Sequence, residues 1–536
     1  MRRSALLGKR AASWCACGLV AVVALTACGD SDDSAPTVPP DTVTVNSSEP
    51  VRPLVPTDTT EEGGGAVTAN LFTGLVTYDP KTAAPRNAVA AGITSEDQQN
   101  WRIMLNPGWT FHDGTPVTAD SFIKAWNFGA YGPNRQLNRS FFAPIAGYAE
   151  VAGEAPSAEA LTGLVKVSDS EFTVALSAPN SQFPVMLGYV AFAPLPEVFF
   201  RDPTAFGRAP VGNGPFKFVS WQPNSAIRLT RFDQYPGAKP KVANVTFTIY
   251  QSLDTAFEDL LANRLDILDA IPTSVETTDA VLAQLGDRTV SQAAGVIQSI
   301  TFPLYDERFA NADVRAAFSM AIDRAGINDA VFAGGREAAT GWVSPVVDGY
   351  KPDACGTACT FNPQVAQELL ARGGGFSGDL TIAYNADGDH QGWVDAVCES
   401  ITTTLAVPCT GTAYPDFTAF RSAVTNQEMT GLFHSGWRMD YPSIDNFLVP
   451  LFTTDGSAND GGYSNAAFDA MMDTAASQPT IQGVRTFQES EALLAADMPT
   501  IPLWFGVVTA GYSENVREVT FTPFSRVDLT SVELTR

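Results

Sequence analysis

The segment NVTFTIYQSLDTAFEDLLANRLDIL, residues 244–268, decides the fold class. Asn244 to Tyr250 alternates polar and apolar side chains, the period-two pattern of a strand. From Asp254 the period changes, and Phe257, Leu260 and Leu261 fall on one face of a helix. Leu265-Asp266-Ile267-Leu268 returns to an extended run. Strand, helix and strand in so short a span predict an α/β lobe with mixed sheets.

Outward from this segment the alternation of element types continues. Towards the N-terminus, Ile227–Arg231, Glu171–Ser177 and Trp101–Leu105 read as strands, and Thr42–Val45 as an opening strand. After a break at Gly63-Gly64-Gly65, Val67, Leu71 and Leu75 repeat at helical spacing as far as Val76. Towards the C-terminus a second lobe is expected from Ile297. Asn311–Ala325 is an amphipathic helix with Val314, Phe318, Ala321 and Ile322 inward. Asn362-Pro363 caps another helix, which stops at Gly373-Gly374-Gly375. Leu380–Tyr384 reads as a strand, and Asp395–Leu405 and Glu489–Ala496 as helices. A chain of 536 residues is too long for one core, so two or three domains are expected. With 45% hydrophobic and 17% charged residues it is a folded chain rather than a disordered one.

Charge and the first residues speak to location. The formal net charge is −25, which repels phosphate backbones and anionic lipid surfaces; with no basic run, nucleic-acid binding is excluded. Arg2, Arg3, Lys9 and Arg10 precede an apolar run, Ala16–Leu25, shorter than the roughly 20 residues of a membrane-spanning helix. The run ends at Leu25-Thr26-Ala27-Cys28, which resembles a bacterial lipobox. Residues 1–27 are therefore expected to be a lipoprotein signal peptide, Cys28 the lipidated anchor, and 28–40 a polar tether. An ordinary secretory signal with an incidental cysteine is the competing reading. Cys15 and Cys17 leave with the signal, so Cys355, Cys359, Cys398 and Cys409 remain for disulfides. Three pairings are open to four cysteines; the local one, Cys355–Cys359 with Cys398–Cys409, is preferred. Zinc is the alternative, but the spacings fit it poorly.

Four stretches invite chemistry. His112, in Trp109-Thr110-Phe111-His112-Asp113-Gly114, has no second His or Cys nearby and reads as structural, within a turn leading to a helix capped by Thr118. Gly212 and Gly214 precede a strand rather than a helix, against a phosphate loop. Asn385-Ala386-Asp387-Gly388-Asp389 lacks the glycine and distal acid of a calcium loop and reads as a solvated turn. Gly436-Trp437-Arg438-Met439-Asp440-Tyr441-Pro442 places an acid between aromatics, just before a proline that ends extended structure. A carboxylate in a partly apolar setting favours an incoming cation. A secreted hydrolase finds little support: there are three histidines, and no Gly-x-Ser-x-Gly or His-Glu-x-x-His occurs. His434 near Asp440 is the one coincidence, without a placed nucleophile.

The Trp437–Tyr441 stretch resembles the Trp-x-x-Asp-Tyr region of the family 5 extracellular solute-binding proteins, the dipeptide- and oligopeptide-binding lipoproteins of ABC importers. Phe111-His112-Asp113-Gly114-Thr115-Pro116-Val117-Thr118-Ala119-Asp120 is the most specific further mark. Asn70–Pro80, Val211-Gly212-Asn213-Gly214-Pro215-Phe216, Val314–Arg324, Gly462–Asp469 and Met498–Trp504 follow in the family's order. At Asn263-Arg264 the chain departs from the family's Gly-Glu. The resemblance implies an α/β periplasmic-binding-protein-like fold of type II, cluster C: two lobes, a hinge, and a domain inserted in the first lobe. Lobe I would take 41–81, 208–296 and 510–536, the inserted domain II 82–207, and lobe III 297–509. The hinge crossings would lie near Gly295–Gln298 and Val507–Gly511. It further implies that Asp440 holds the α-ammonium of a short peptide, with Trp437 and Tyr441 as walls and Arg438 a possible carboxylate partner. Arg336 and Arg421 are further candidates for that carboxylate. No cofactor, metal or catalysis is expected, and the chain would be a monomer serving an ABC permease and its ATPase subunits. The alternative is the same fold binding haem, a nickel chelate or an oligosaccharide.

Overall fold

Asp266, in the deciding segment, is buried and accepts from the backbone and hydroxyl of Thr44 at 2.9 and 3.0 Å and from Ser513 Oγ at 3.3 Å. It thus binds together three parts of the chain that are far apart in sequence. The computed structural model describes residues 41–272 and 283–535. The expected signal peptide, tether and lipidated Cys28 lie outside the described residues.

The opening strand is β1 (Thr42–Ser47). β2 (Val76–Tyr78) and β3 (Pro85–Asn87) make a small ladder. β4 (Ala90–Thr94), β5 (Asn100–Leu105), β6 (Leu164–Ser168) and β7 (Glu171–Ala175) form an antiparallel sheet in the order β4-β5-β7-β6. Next come β8 (Phe216–Gln222), β9 (Ala226–Arg231), β10 (Asn244–Ile249), β11 (Ile267–Leu268), β12 (Thr289–Thr301) and β13 (Glu337–Ala338). β14 (Leu380–Asn385), β15 (Cys409–Tyr414), β16 (Leu432–Arg438) and β17 (Thr500–Tyr512) follow. With β1 they build one mixed sheet, ordered β15-β14-β16-β12-β17-β11-β1-β10-β9-β8, with β13 on β17. β10 and β11 both pair in parallel with β1, so the helix Leu253–Leu261 is the crossover that parallel pairing requires. Neighbours on both sides explain why β1 is buried almost throughout.

β12 and β17 are the longest strands among the described residues, 13 residues each, and pair antiparallel from Thr289↔Gly511 to Thr301↔Thr500. Their register shifts between Ala293 and Ile297. On one side of that shift the buried apolar residues gather around β1, β10 and the four-stranded sheet. On the other they gather around β14, β16 and the helices of residues 312–497. β12 and β17 therefore each run from one group of buried residues into the other. Two buried arginines tie helices of the second core to β17 and the turn before it: Arg315 Nε donates to Met498 O at 3.1 Å, Arg324 Nε to Pro502 O at 2.7 Å. Cys355 is joined to Cys359, and Cys398 to Cys409, the latter fastening the helix Gln391–Leu405 to β15.

Local chemistry explains several helix starts. Asn362 Oδ1 accepts from Val365 N at 3.2 Å, capping Pro363–Arg372. Thr118 N donates to Ser121 Oγ at 3.1 Å as the helix Ala119–Ala130 begins. Two expectations need correcting. Gly63-Gly64-Gly65 is no break: it forms the first turn of the helix Glu62–Leu71, which ends before Val76. Glu61 caps it, Oε2 accepting from Gly64 N at 2.6 Å, and a Cβ at Gly63 or Gly65 would overlap the Ser48 carbonyl or the Arg526 guanidinium. Glycine stands there for close approach rather than for flexibility. The single helix expected over 311–325 is two, Ala312–Met320 and Arg324–Phe332, because Asp323 caps a fresh start by accepting from Gly326 N at 3.0 Å.

His112 is a clamp. Its Nδ1 accepts from Gly212 N at 3.1 Å and its Nε2 faces Gly214 O at 3.1 Å, so the neutral ring carries its proton on Nε2. Burial pushes its pKa down to about 4. A Cβ at Gly212 would overlap the Leu71 carbonyl, so two distant motifs lock one junction.

Candidate functional site

β16 runs alongside β12, with Trp437 opposite Ile297 and Arg438 opposite Val296. It leaves the sheet where Met439 N donates to Gly295 O at 2.8 Å, at the register shift. Residues 439–444 then turn into the helix Asp445–Phe452. Asn446, buried in its first turn, organises the turn above it. Its Oδ1 accepts from Asp440 N at 2.9 Å and from Trp437 Nε1 at 3.2 Å, while its Nδ2 donates to Asp440 Oδ2 at 3.2 Å. One amide thus orients both an acid and an indole.

Asp440 is half-buried, and burial pushes its pKa up to about 6, only partly offset by the Asn446 bond. Tyr441 is buried in the core around β1 rather than in that of its own strand, and donates its hydroxyl to Asp445 Oδ2 at 3.1 Å. The other oxygen of Asp445 has no hydrogen-bond partner among the described residues, and burial lifts this acid to about 6 as well. Tyr78 and Tyr189, from a distant part of the chain, feel the same acid. Their hydroxyls donate to Val185 O at 2.7 Å and Asn138 Oδ1 at 3.2 Å. Burial raises both phenols, with the Asp440 carboxylate the next cause for each. Ser443 Oγ donates to Gln182 Oε1 at 2.9 Å, and Ser181 N to Ala476 O at 2.8 Å, closing the same seam. Asp440 therefore sits where segments 76–189 and 437–446 meet: an acid raised by desolvation, ringed by phenols, held by a neutral amide.

Arg438 points elsewhere. It is exposed and pairs with Glu62 at 3.0 Å, at the start of the helix Glu62–Leu71. Arg421 makes a two-point pair with Asp460 at 2.6 and 3.1 Å. Arg336 donates to Gln298 Oε1 and lies 3.8 Å above the Phe332 ring. His434 is not a partner of Asp440: its ring centroid lies 3.8 Å from that of His390.

Behind β16 lies a cavity of about 1210 Å³, large enough for more than one side chain. Every lining residue falls between Val296 and Thr500, most of them from the second core, with Val296 from the first. Trp437 and Arg438 line it; Asp440 and Tyr441 do not. Sequence reasoning missed Asn446, Asp445, Tyr78 and Tyr189 as parts of one cluster. Asn446, six residues after Asp440, was within local reach of detection; the tyrosines carry no sequence signal for it.

Comparisons with known proteins agree on the kind of molecule. The family model described as bacterial extracellular solute-binding proteins, family 5 middle, matches residues 84–459. The oligopeptide-binding protein OppA of Bacillus subtilis is 24% identical over 474 residues, covering 85% of this chain and 86% of that one. The dipeptide-binding protein DppE of the same organism is 26% identical over 483 residues, 86% of each chain. The unliganded open form of the periplasmic murein tripeptide binding protein MppA superposes with a TM-score of 0.79 at 20% identity, covering 92% of this chain and 97% of its own.

Proposed function

Because the chain belongs to the bacterial extracellular solute-binding proteins of family 5, a family of substrate-binding proteins and not of enzymes, we propose that it captures short peptides between two lobes and delivers them to the permease and ATPase subunits of an ABC importer. The observation that carries this reading is the setting of Asp440. A carboxylate that burial has raised to about 6, with a neutral amide as its side-chain hydrogen-bond partner, gains most from a ligand that brings a cation. A peptide's α-ammonium is such a group, and its main chain suits the edges of strands. In this reading Asp440 holds the ammonium, Trp437 and Tyr441 shape the walls, and Arg438, already paired with Glu62, is a weak contender for the carboxylate. Haem, a nickel chelate or an oligosaccharide would leave that carboxylate without its cation, which favours the peptide; relatives named for oligopeptide and dipeptide binding do likewise.

We assign lobe I to 41–81, 208–296 and 510–536, domain II to 82–207 and lobe III to 297–509. The two buried cores and the register shift between Ala293 and Ile297 support this division. A ligand touching both lobes favours closure by its differential affinity for the closed state. The chain acts without catalysis, as a monomer outside the cytoplasm, tethered through acylated Cys28. Mass spectrometry of the purified chain tests the anchor: an unmodified Cys28 in material from bacterial membranes would refute it.

Calorimetry with trialanine and N-acetyl-trialanine tests the ligand. Trialanine binds and acetylation abolishes binding if Asp440 reads the ammonium; equal affinity for both removes that role. Native mass spectrometry of ligands retained on purification tests the class, since a porphyrin or chelate mass replaces the peptide reading and keeps the fold.

A further inference from the structure

We propose that Phe524, at the tip of the hairpin Phe521–Val527, is a positioning residue for the ligand site: it clamps the ring of Tyr78 on the seam beside Asp440 and keeps water out of that seam. The inference rests on the reading of Asp440 as the ligand's anchor.

The hairpin is rooted in one core and ends in the other. Phe521 is fully buried in the core around β1, and its bridge to Val527 closes the base. Thr522 N donates to Arg526 O at 2.7 Å and Ser525 N to Thr522 O at 2.9 Å, with Ser525 in the left-handed region at φ 61°, so the tip turns tightly. Phe524 leaves that turn and packs against the second core. Besides β12 and β17, the hairpin is thus a further piece of chain reaching from one core into the other. Its tip is also tied to the turn that carries Asp440. Pro523 O accepts from Gly295 N at 2.8 Å, and Gly295 O accepts from Met439 N at 2.8 Å. Glycine is required at that link, because a Cβ would overlap the Met439 side chain.

Phe524 stacks on Tyr78, ring centroids 5.2 Å apart and planes 26° apart. The Tyr78 hydroxyl donates to Val185 O at 2.7 Å, and a Cβ at Gly188 would overlap the ring. Segment 185–188 therefore holds the phenol end of Tyr78, and Phe524 covers its face. Burial is what raises Asp440, with the Asn446 bond opposing it, so the titration of this acid gauges how dry the seam is. Around it stand the phenols Tyr78, Tyr189 and Tyr441, each raised by burial and, more weakly, by the Asp440 charge. Asp445 acts on Tyr78 and Tyr441 in the same sense, and Arg526 of the hairpin on Tyr189 in the opposite one. Arg438 is drawn off to Glu62 at 3.0 Å. Beside the tip, Ser525 lines a cavity of about 190 Å³ together with Val296 and Arg438, which is room for water. A hole at position 524 would adjoin that space and admit water on the Tyr78 side of the seam.

The test follows Asp440 in the full ligand-free chain, purified in detergent, by isotope-edited NMR of labelled aspartate carboxyls, with Asp440→Asn identifying its resonance. In the unaltered chain the acid titrates near pH 6. In F524A the midpoint falls by about one unit towards the ordinary carboxylate range. F524Y, which keeps the ring, restores it. F376A removes a ring that packs on Phe309 and Phe318 in the second core, and leaves the midpoint where it was. Calorimetry at about pH 7 shows trialanine bound about tenfold more weakly by F524A and normally by F524Y. Circular dichroism checks folding, and the milder truncation F524V, with a smaller fall in midpoint, takes the place of F524A if that chain does not fold. A midpoint that the truncation leaves unchanged overturns the proposal, as does one that F376A shifts equally far. A shifted midpoint with unaltered trialanine affinity overturns it too. If trialanine does not bind the unaltered chain, the peptide reading is refuted, and the midpoints still decide whether Phe524 dries the seam.

Discussion

The cluster around Asp440 and the cavity behind β16 share a strand and are built in opposite ways. The cluster joins residues from two cores, is acidic, and consists of oxygen groups raised by burial: Asp440, Asp445, Tyr78 and Tyr189. The cavity draws mostly on the second core, and aromatic rings line it together with His390, His434, Arg336 and Asp389. On the proposed reading the lobes close over the ligand, and a seam between them suits the feature common to all ligands of a class. Trp437 bridges the two: its indole N–H is held by Asn446 with Asp440, and it also lines the cavity.

The comparison breaks first at Asp440. Asp440→Ala is expected to weaken peptide binding by more than about 1.5 kcal/mol, at least tenfold, since a charged hydrogen bond in a dry seam is lost. Calorimetry showing unchanged affinity would place the anchor elsewhere. Acidity comes next. The ammonium requires the ionised acid, and the empty site holds its proton up to about pH 6. Affinity for neutral peptides should therefore fall as pH drops through that value, by up to about tenfold per unit below it, and Asp440→Asn should flatten the profile. An acid profile that Asp440→Asn leaves intact assigns the titration to another group. Asn446→Leu is expected to cost about 1 kcal/mol, roughly fivefold in affinity, by releasing both Asp440 and Trp437. Tryptophan fluorescence in the same variant should report the freed indole. The smallest effect falls on Arg438. Its pair with Glu62 is exposed, so Arg438→Gln should change affinity by no more than about 0.5 kcal/mol. A larger loss would make Arg438 a ligand contact and extend the cluster towards the cleft mouth.

The legible parts of this chain are those governed by near neighbours. The deciding segment contains a strand, a helix and a strand at the expected positions, though β11 is only Ile267–Leu268. Asn362 and Thr118 begin helices, as their side chains dictate. The glycines at 63–65 misled because a triple glycine signals freedom locally, while here packing against Ser48 and Arg526 requires it. Asp440 stood out by its setting between aromatics, and burial raises its pKa to about 6.

By itself, then, the sequence determined the α/β class and most of the order of elements, because periodicity, caps and proline act over a few residues. Only the tertiary structure decided that Tyr78 and Tyr189 face Asp440, that Asn446 aims it, and that His390 stacks on His434. Those relations arise where chain segments far apart in sequence are brought together by β1, β12 and β17, and no local pattern encodes which side chains such pairing brings into contact.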